Sequence, residues 1–392
     1  MTTVKDKAIL LIKNNIAIIF FLILVISDIF TKIFNTELNI SKYSKALLII
    51  GLILFSVVKR IKILKYIFLA FILFSLGSLN ISIERFLDNI PQFFEYYFAI
   101  FFFIFLKYNY THKLKSVLEI VFTIHSIIIL LSAIFDIEFL KTYPNSQRFG
   151  FTSFFNSQNE FSYVMMAGVV FFTASVSKSS YLSFLKLFLF ISASLLVGTK
   201  AIILFILLFY IFLFIKFLKP KIYITIFSLM LIVILIYSNN IILFLKTHYR
   251  TLYDLYINEG LVSFISSKRS IYFYEKFSFQ NDELDFINYL FGGYNLKYVY
   301  EMSFFDLLGF FGLFGFTVFI LILKNYVSKW FEINSISKIY ILIVVGISIG
   351  AGYLFENASA QVYTILVLLV LKNCPTSNIF CFPDKVKENI NE

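Results

Sequence analysis

Residues 181–219 read YLSFLKLFLFISASLLVGTKAIILFILLFYIFLFIKFLK, a run without a single Asp, Glu or Arg. As one helix it would extend about 58 Å at 1.5 Å per residue, nearly twice the roughly 30 Å of a bilayer's hydrocarbon core. The run must therefore reverse on itself, and Gly198-Thr199-Lys200 supplies the polar break for the turn. Two apolar spans joined by a tight hairpin are predicted, at 181–198 and 200–218.

The same ruler applied outward predicts spans near 14–31, 43–59, 64–81, 91–107, 116–136, 159–177, 221–239, 302–323, 337–352 and 356–372. The run from Lys338 to Lys372 is again too long for one crossing, and the reversal falls at Gly350-Ala351-Gly352-Tyr353-Leu354-Phe355-Glu356-Asn357. The expected fold is all-α, a single integral membrane domain over 1–392 with about 12 transmembrane helices. One polar interruption, 240–301, forms a long extracytoplasmic segment, and 373–392 forms a cytoplasmic tail. With 60% hydrophobic and 20% aromatic residues and a mean hydropathy of +0.87, the chain lacks the polar surface of a soluble globule.

The formal charge of +11 does not indicate a nucleic-acid partner, because the basic residues cluster between apolar segments. Lys59/Arg60/Lys62/Lys65, Lys107/Lys113/Lys115, Lys178/Lys186, Lys216/Lys219/Lys221 and Lys324/Lys329 all fall on one side, which the positive-inside rule assigns to the cytoplasm. Both termini are then cytoplasmic, and loops near 82–90, 137–158, 239–301 and 351–357 face outward. The connection near 32–42 fits poorly, since Lys32 and Lys42 outweigh Glu37 on the outer side. The start of the chain mimics a signal peptide but lacks a small-residue cleavage pattern, and is read as a retained first helix. Cys374 and Cys381, both in the polar tail, are read as free thiols.

Charges retained at the ends of spans on one face carry the functional reading. Four groups stand out on the outer side. They are Arg148-Phe149-Gly150-Phe151-Thr152 with Asn156-Ser157-Gln158-Asn159-Glu160; Lys200 at the hairpin; His248, Arg250 and Lys268-Arg269; and Glu301 ahead of Ser303 to Gly315. Each alone reads as a solvated loop charge or a headgroup anchor. Together, several cations and one carboxylate at one membrane face suit a pyrophosphate-bearing lipid substrate, because guanidinium forks grip phosphate oxygens and a carboxylate accepts a proton from an attacking hydroxyl.

The order Arg148-x-Gly150-Phe151 to Asn159, the Gly198-Thr199-Lys200 hairpin, Arg269, Phe291-Gly292-Gly293-Tyr294, and Glu301-x-Ser303-Phe304-x-Asp306-Leu307-Leu308 to Gly312 and Gly315 resembles the O-antigen polymerase and ligase superfamily, the Wzy-type repeat-unit polymerases. The resemblance covers Arg148 to Gly315 and the span count. It implies a glycosyltransferase that joins oligosaccharide repeat units carried on undecaprenyl pyrophosphate, at the outer face of a bacterial plasma membrane, in capsule, O-antigen or exopolysaccharide biosynthesis. No cofactor is implied. Lys200 stands where the family often has Arg, which keeps the charge and loses the planar fork. Glu301-Met302 stands where ligases of the superfamily usually carry a His-Asn pair, which favours polymerase over ligase.

On that reading Glu301 is the catalytic base, and Arg148, Lys200 and Arg269 clamp the pyrophosphate, with Arg250, Lys268 and Asn159 as further substrate-binding residues. Tyr249, Tyr253, Tyr272 and Tyr274 offer stacking surfaces for sugars, against the ordinary role of Tyr as an interface anchor. Glu283-x-Asp285 lacks companion ligands for a metal. His112 and His125 read as packing or polar contacts, Phe101-Phe102-Phe103 as lipid-facing or core residues, and Gly309, Gly312 and Gly315 as close-packing positions. The competing class is a transporter such as a lipid-linked oligosaccharide flippase, which calls for charges distributed through a central cavity.

Overall fold

The computed structural model describes residues 4–34, 40–143, 149–176, 180–217, 256–258, 260, 269, 271, 285–293, 301–327 and 335–372. Among these the chain is helical, without a β-strand. The elements are α1 (Val4–Phe34), α2 (Ile40–Val58), α3 (Leu64–Ile81), α4 (Ile83–Asn109), α5 (Lys113–Phe135), α6 (Gln158–Ser175), α7 (Tyr181–Leu196), α8 (Lys200–Phe217), α9 (Phe286–Phe291), α10 (Ser303–Ile322), α11 (Ser335–Ala351) and α12 (Ala358–Lys372). Six of them, α1 to α5 and α10, are long and apolar enough to cross a membrane, while α7, α11 and α12 are shorter apolar helices. The predicted span at 221–239, most of the segment 240–301 and the tail 373–392 lie outside the described residues.

The hairpin forms where its length demanded. Gly198 has φ +74°, and a Cβ there would lie 2.2 Å from the Phe149 carbonyl oxygen, so the turn needs glycine for both its left-handed backbone and its close approach. Thr199 on the turn meets Ser162 of α6, hydroxyl to hydroxyl at 2.6 Å.

The predicted loop at 82–90 does not exist. A single extended residue, Ser82 (φ −169°, ψ 159°), separates α3 from α4, and its side chain accepts the Arg85 amide at 3.0 Å as an N-cap. Glu84, Arg85 and Asp88 resemble loop residues in sequence, yet an acid in the first turn suits the positive end of a helix and prolongs it.

Helices α6 and α12 occupy the centre and are buried on every side: Phe161, Val164, Met165, Ala167 and Val170 of α6, and Ala360, Val362, Leu366 and Val367 of α12, are fully covered. A helix apolar all round belongs inside. Tyr97 and the Phe101-Phe102-Phe103 run of α4 are buried as well, settling those rings as core packing. In contrast Leu47, Val58, Ile134, Phe135 and Tyr181 are 70–84% exposed, an outward apolar shell that suits lipid. Within lipid, helix association relies on dispersion and close packing, and the abundant Phe supplies it. Phe74, Phe93, Phe310 and Phe311 form one such cluster, with the Phe74 and Phe310 rings stacked at 5.1 Å.

Part of the predicted outer segment folds back into the bundle. Helix α9 wedges between α3 and α10, where a Cβ on Gly77 would come within 2.5 Å of the Gly292 carbonyl oxygen and one on Gly312 within 2.3 Å of the Gly292 amide nitrogen. Gly312 (φ +64°) breaks the regular backbone of α10 at that contact. Asn288 locks the wedge by donating to the carbonyls of Gly77 at 2.9 Å and Gly292 at 2.8 Å. The Phe291-Gly292-Gly293 motif is thereby a docking element.

Candidate functional site

The helix ends converge in a way that sequence alone did not show. Side-chain bonds tie the end of α1 and the start of α2 to the start of α12 through Asp28, Ser41 and Ser359. Lys45 adds the start of α6 through Glu160, and the Ser162–Thr199 contact adds the hairpin between α7 and α8. The start of α10 joins at Glu301, against Gly352 after α11. Two polar clusters result at one end of the bundle, flanking the segment 352–357.

The first contains the predicted base. Arg269 Nε donates to Glu301 Oε2 at 3.2 Å, with the Arg269 side chain 14% exposed and that of Glu301 47% exposed. Glu301 holds φ +57° and Tyr353 φ +68°, left-handed conformations that cost non-glycine residues about 1–3 kcal/mol each where sparsely populated. A Cβ on Gly352 would lie 2.6 Å from the Glu301 carbonyl carbon, so the two strained backbones interlock. The orphan amide of Met302 at the start of α10 donates to Asp306 Oδ2 at 2.8 Å. Asp306 thus does the capping, and the Glu301 carboxylate is engaged by Arg269 instead.

Beneath this pair, Tyr163 of α6 donates its hydroxyl to the Gly352 carbonyl at 2.7 Å, and the Tyr353 amide donates to Glu356 Oε2 at 2.8 Å. Burial, reinforced by the nearby charge of Asp306, pushes the Glu356 carboxyl up to about 8. Burial also pushes the Tyr353 phenol up to about 12, with the charges of Glu301 and Glu356 adding to the effect.

The second cluster was missed by sequence reasoning. Lys45 Nζ lies 3.4 Å from Asp28 Oδ1 and 3.5 Å from Glu160 Oε1, and all three side chains are at most 16% exposed. Asp28 also accepts from Ser41 Oγ at 2.5 Å and from Ser359 Oγ at 2.8 Å. Gln361 bridges the α4 backbone next to it, accepting from the Ala99 amide at 2.8 Å and donating to the Glu95 carbonyl at 3.3 Å. The cluster borders a cavity of about 610 Å³ whose lining includes Lys42, Lys45, Glu95, Phe98, Asn156 and Asn357. The only trace in the sequence is a Lys and an Asp placed in apolar runs and the excess positive charge around 32–42.

The other predicted residues divide. Phe149 and Gly150, adjoining Arg148, pack on the hairpin: the Phe151 amide donates to the Leu196 carbonyl at 2.9 Å and Thr142 Oγ1 donates to the Val197 carbonyl at 2.9 Å. The two glycine motifs are therefore one structural unit. Lys200 opens α8 and Asn159 sits in the first turn of α6, both half-buried. Arg148, Arg250 and Lys268 lie outside the described residues, as do Tyr249, Tyr253, Tyr272, Tyr274, His248 and Glu283.

His125 is buried, with Nδ1 2.9 Å from Ser153 Oγ and Nε2 3.2 Å from the Tyr363 hydroxyl. Ser153 is fully covered, so this Ser–His contact is a packing bond and not a nucleophile. No family model matches the chain, and no curated protein or solved structure gives a significant match.

Proposed function

We propose that the chain is a polytopic membrane glycosyltransferase with about 12 spans, which polymerises undecaprenyl-pyrophosphate-linked oligosaccharide repeat units at the outer face of a bacterial plasma membrane. The observation that supports this reading most is the Arg269–Glu301 pair at 3.2 Å, a guanidinium and a carboxylate placed together at one end of the bundle. The glycine unit formed by Gly150 and Gly198, which carries Lys200 and adjoins Arg148, belongs to the same end.

In the proposed reaction the acceptor hydroxyl attacks the anomeric carbon of the donor, and its proton passes to Glu301. The new glycosidic bond forms as the bond from that carbon to the pyrophosphate oxygen breaks, with the electron pair leaving on the pyrophosphate. Arg269, Arg148 and Lys200 neutralise the charge that develops there. When the donor's pyrophosphate takes the guanidinium of Arg269, Glu301 is released to act as base, which couples substrate arrival to activation. The chemical energy resides in the leaving group, so the reading calls for no cofactor.

Incubating purified protein with purified lipid-linked repeat units, and resolving the products on a gel, tests the proposal. A ladder of multiples supports it. Unchanged single units under conditions that keep the protein folded remove it. A flippase remains the second reading, because Asp28, Lys45 and Glu160 place charge between helices where a transport cavity would need it. Cells lacking a flippase accumulate lipid-linked units internally, whereas cells lacking a polymerase still display single units.

A further inference from the structure

The cavity beside Lys45 is separate from the Arg269–Glu301 pair and carries its own chemistry. Its depth is polar: Asp28, Lys45, Glu95 and Glu160, with the amide of Asn357, while Asn156 lies at the exposed rim. Its walls are apolar and partly aromatic, with Ile49, Phe94, Phe98 and Phe155. Its mouth lies along α2 and α4, where Tyr43 is 61% and Ile50 53% exposed. A volume of about 610 Å³ falls within the roughly 300–1,000 Å³ of small-molecule sites.

The donor set selects the ligand. A phosphate is disfavoured, because Lys45 is already neutralised by two carboxylates at 3.4 and 3.5 Å, and the second lining cation, Lys42, is opposed by a third carboxylate, Glu95, on the same cavity. A metal ion is disfavoured too, since among the described residues no group of three ligating His, Cys, Asp or Glu side chains converges. An acyl chain would strip water from the charged floor without replacing its hydrogen bonds. Meanwhile Glu160 is 6% exposed and, among the described residues, its Oε1 accepts no hydrogen bond and has only the ion contact with Lys45. A buried acceptor of this kind calls for a donor hydroxyl or amide. Carboxylates and an amide below, with ring faces at the sides, match the hydroxyls and C–H faces of an uncharged sugar.

We infer that this cavity is a saccharide subsite, which holds an uncharged sugar unit of a lipid-linked oligosaccharide that enters from the α2/α4 side. The inference rests on the proposed polymerase reading for its place in the reaction, with the cavity seating the acceptor sugar. The geometry is compatible, because Asn357 lines the cavity while Gly352 packs on Glu301. Those positions are five residues apart, a span of at most about 18 Å even if extended. A short oligosaccharide seated in the cavity can therefore present a hydroxyl toward Glu301.

The test uses the full chain with Cys374 and Cys381 replaced by Ser and with Ala46→Cys at the cavity mouth. It is reconstituted in phosphatidylethanolamine and phosphatidylglycerol nanodiscs, free of sugar-headed detergent, and the rate of alkylation by N-ethylmaleimide is followed. Undecaprenyl-pyrophosphate-linked repeat units should slow alkylation about tenfold at a concentration about ten times their Kd. Undecaprenyl pyrophosphate without sugar should leave the rate unchanged, and Glu160→Gln or Glu95→Gln should weaken the protection while leaving the unprotected rate as in the parent. Equal protection by the sugar-free lipid overturns the inference in favour of a tail or phosphate site, and protection by neither lipid overturns it outright. Polymer formation by the same preparation separates the two ideas. Polymer without protection sinks the subsite and leaves the proposed function, while protection without polymer removes the polymerase and keeps the saccharide site.

Discussion

The hydroxyl of Tyr163, at the centre of the bundle, bonds the carbonyl of Gly352 at 2.7 Å, and Gly352 in turn rests on the backbone of Glu301. Through these two contacts the most buried helix sets the position of the candidate base. Tyr163→Phe should lower stability by about 0.5–1.5 kcal/mol, the net worth of one such bond. It should reduce polymer formation more than that loss explains, because a shift of Glu301 acts on geometry. Thermal unfolding and a gel-based polymerisation assay on one preparation check this, and unaltered polymer yield would separate Tyr163 from the site.

Substitution of the pair itself distinguishes chemistry from support. Glu301→Gln keeps shape and should cut polymer formation by about 100-fold or more at normal expression, the scale of a lost general base. Glu301→Asp should retain weak activity, one methylene short of its target. Arg269→Ala should abolish extension, and Arg269→Lys should restore it only in part because the planar fork is lost. A Gln variant that polymerises at the parental rate would assign the proton to another acceptor, and α10 would still be capped by Asp306.

Removing one member of the Lys45 cluster should be costly. Lys45→Met leaves the carboxylates of Asp28 and Glu160 facing each other without a counter-charge, and breaking a buried pair from one side typically costs about 3–5 kcal/mol. Adding Asp28→Asn and Glu160→Gln to Lys45→Met should recover most of that loss. Melting temperatures of the single and triple variants decide the matter, and additive destabilisation would contradict the pairing.

Glu356 predicts a pH dependence with a definite sign. Its carboxyl is held at about 8 against an ordinary value of 4.5. Between those limits the folded chain keeps a proton that the unfolded chain releases. Stability therefore falls as pH rises through that window, and is unaffected by this group below it. Glu356→Gln should flatten the decline in melting temperature between mildly acidic and mildly alkaline buffer. It should also keep the bond from the Tyr353 amide, since the amide oxygen of Gln still accepts. A decline as steep as the parent's would place the titration elsewhere.

Sidedness follows from charge clustering and can be read with single cysteines introduced after Cys374 and Cys381 are replaced. Lys62→Cys, between α2 and α3, should be shielded from an impermeant thiol reagent on whole cells. Asp136→Cys, at the end of α5, should react. The reverse pattern would invert the topology.

Length and hydropathy located most of the helices that the described residues contain, because a bilayer imposes one distance and the hydrogen bonds of a helix are local. The turn at Gly198 was legible for the same reason. A single apolar run twice the core thickness has to fold back, and glycine marks where. The start of α4 was not legible, since Glu84, Arg85 and Asp88 serve equally as a loop or as a charged first turn and only the cap on Ser82 separates the two. The pairing within the Lys45 cluster was not legible, although Asp28 and Lys45 stand out as charges in apolar runs. Asp28 meets Ser41 from 13 positions away and Ser359 from 331, and nothing local in any of these residues names its partner. Likewise the sequence singled out Glu301 and Arg269 as charges at one face, but their bond, the capping by Asp306 and the interlock with Gly352 depend on helices brought together by packing. Charge and apolar length are properties of the chain, whereas the pairing of buried polar groups is decided by which helix ends the tertiary structure gathers.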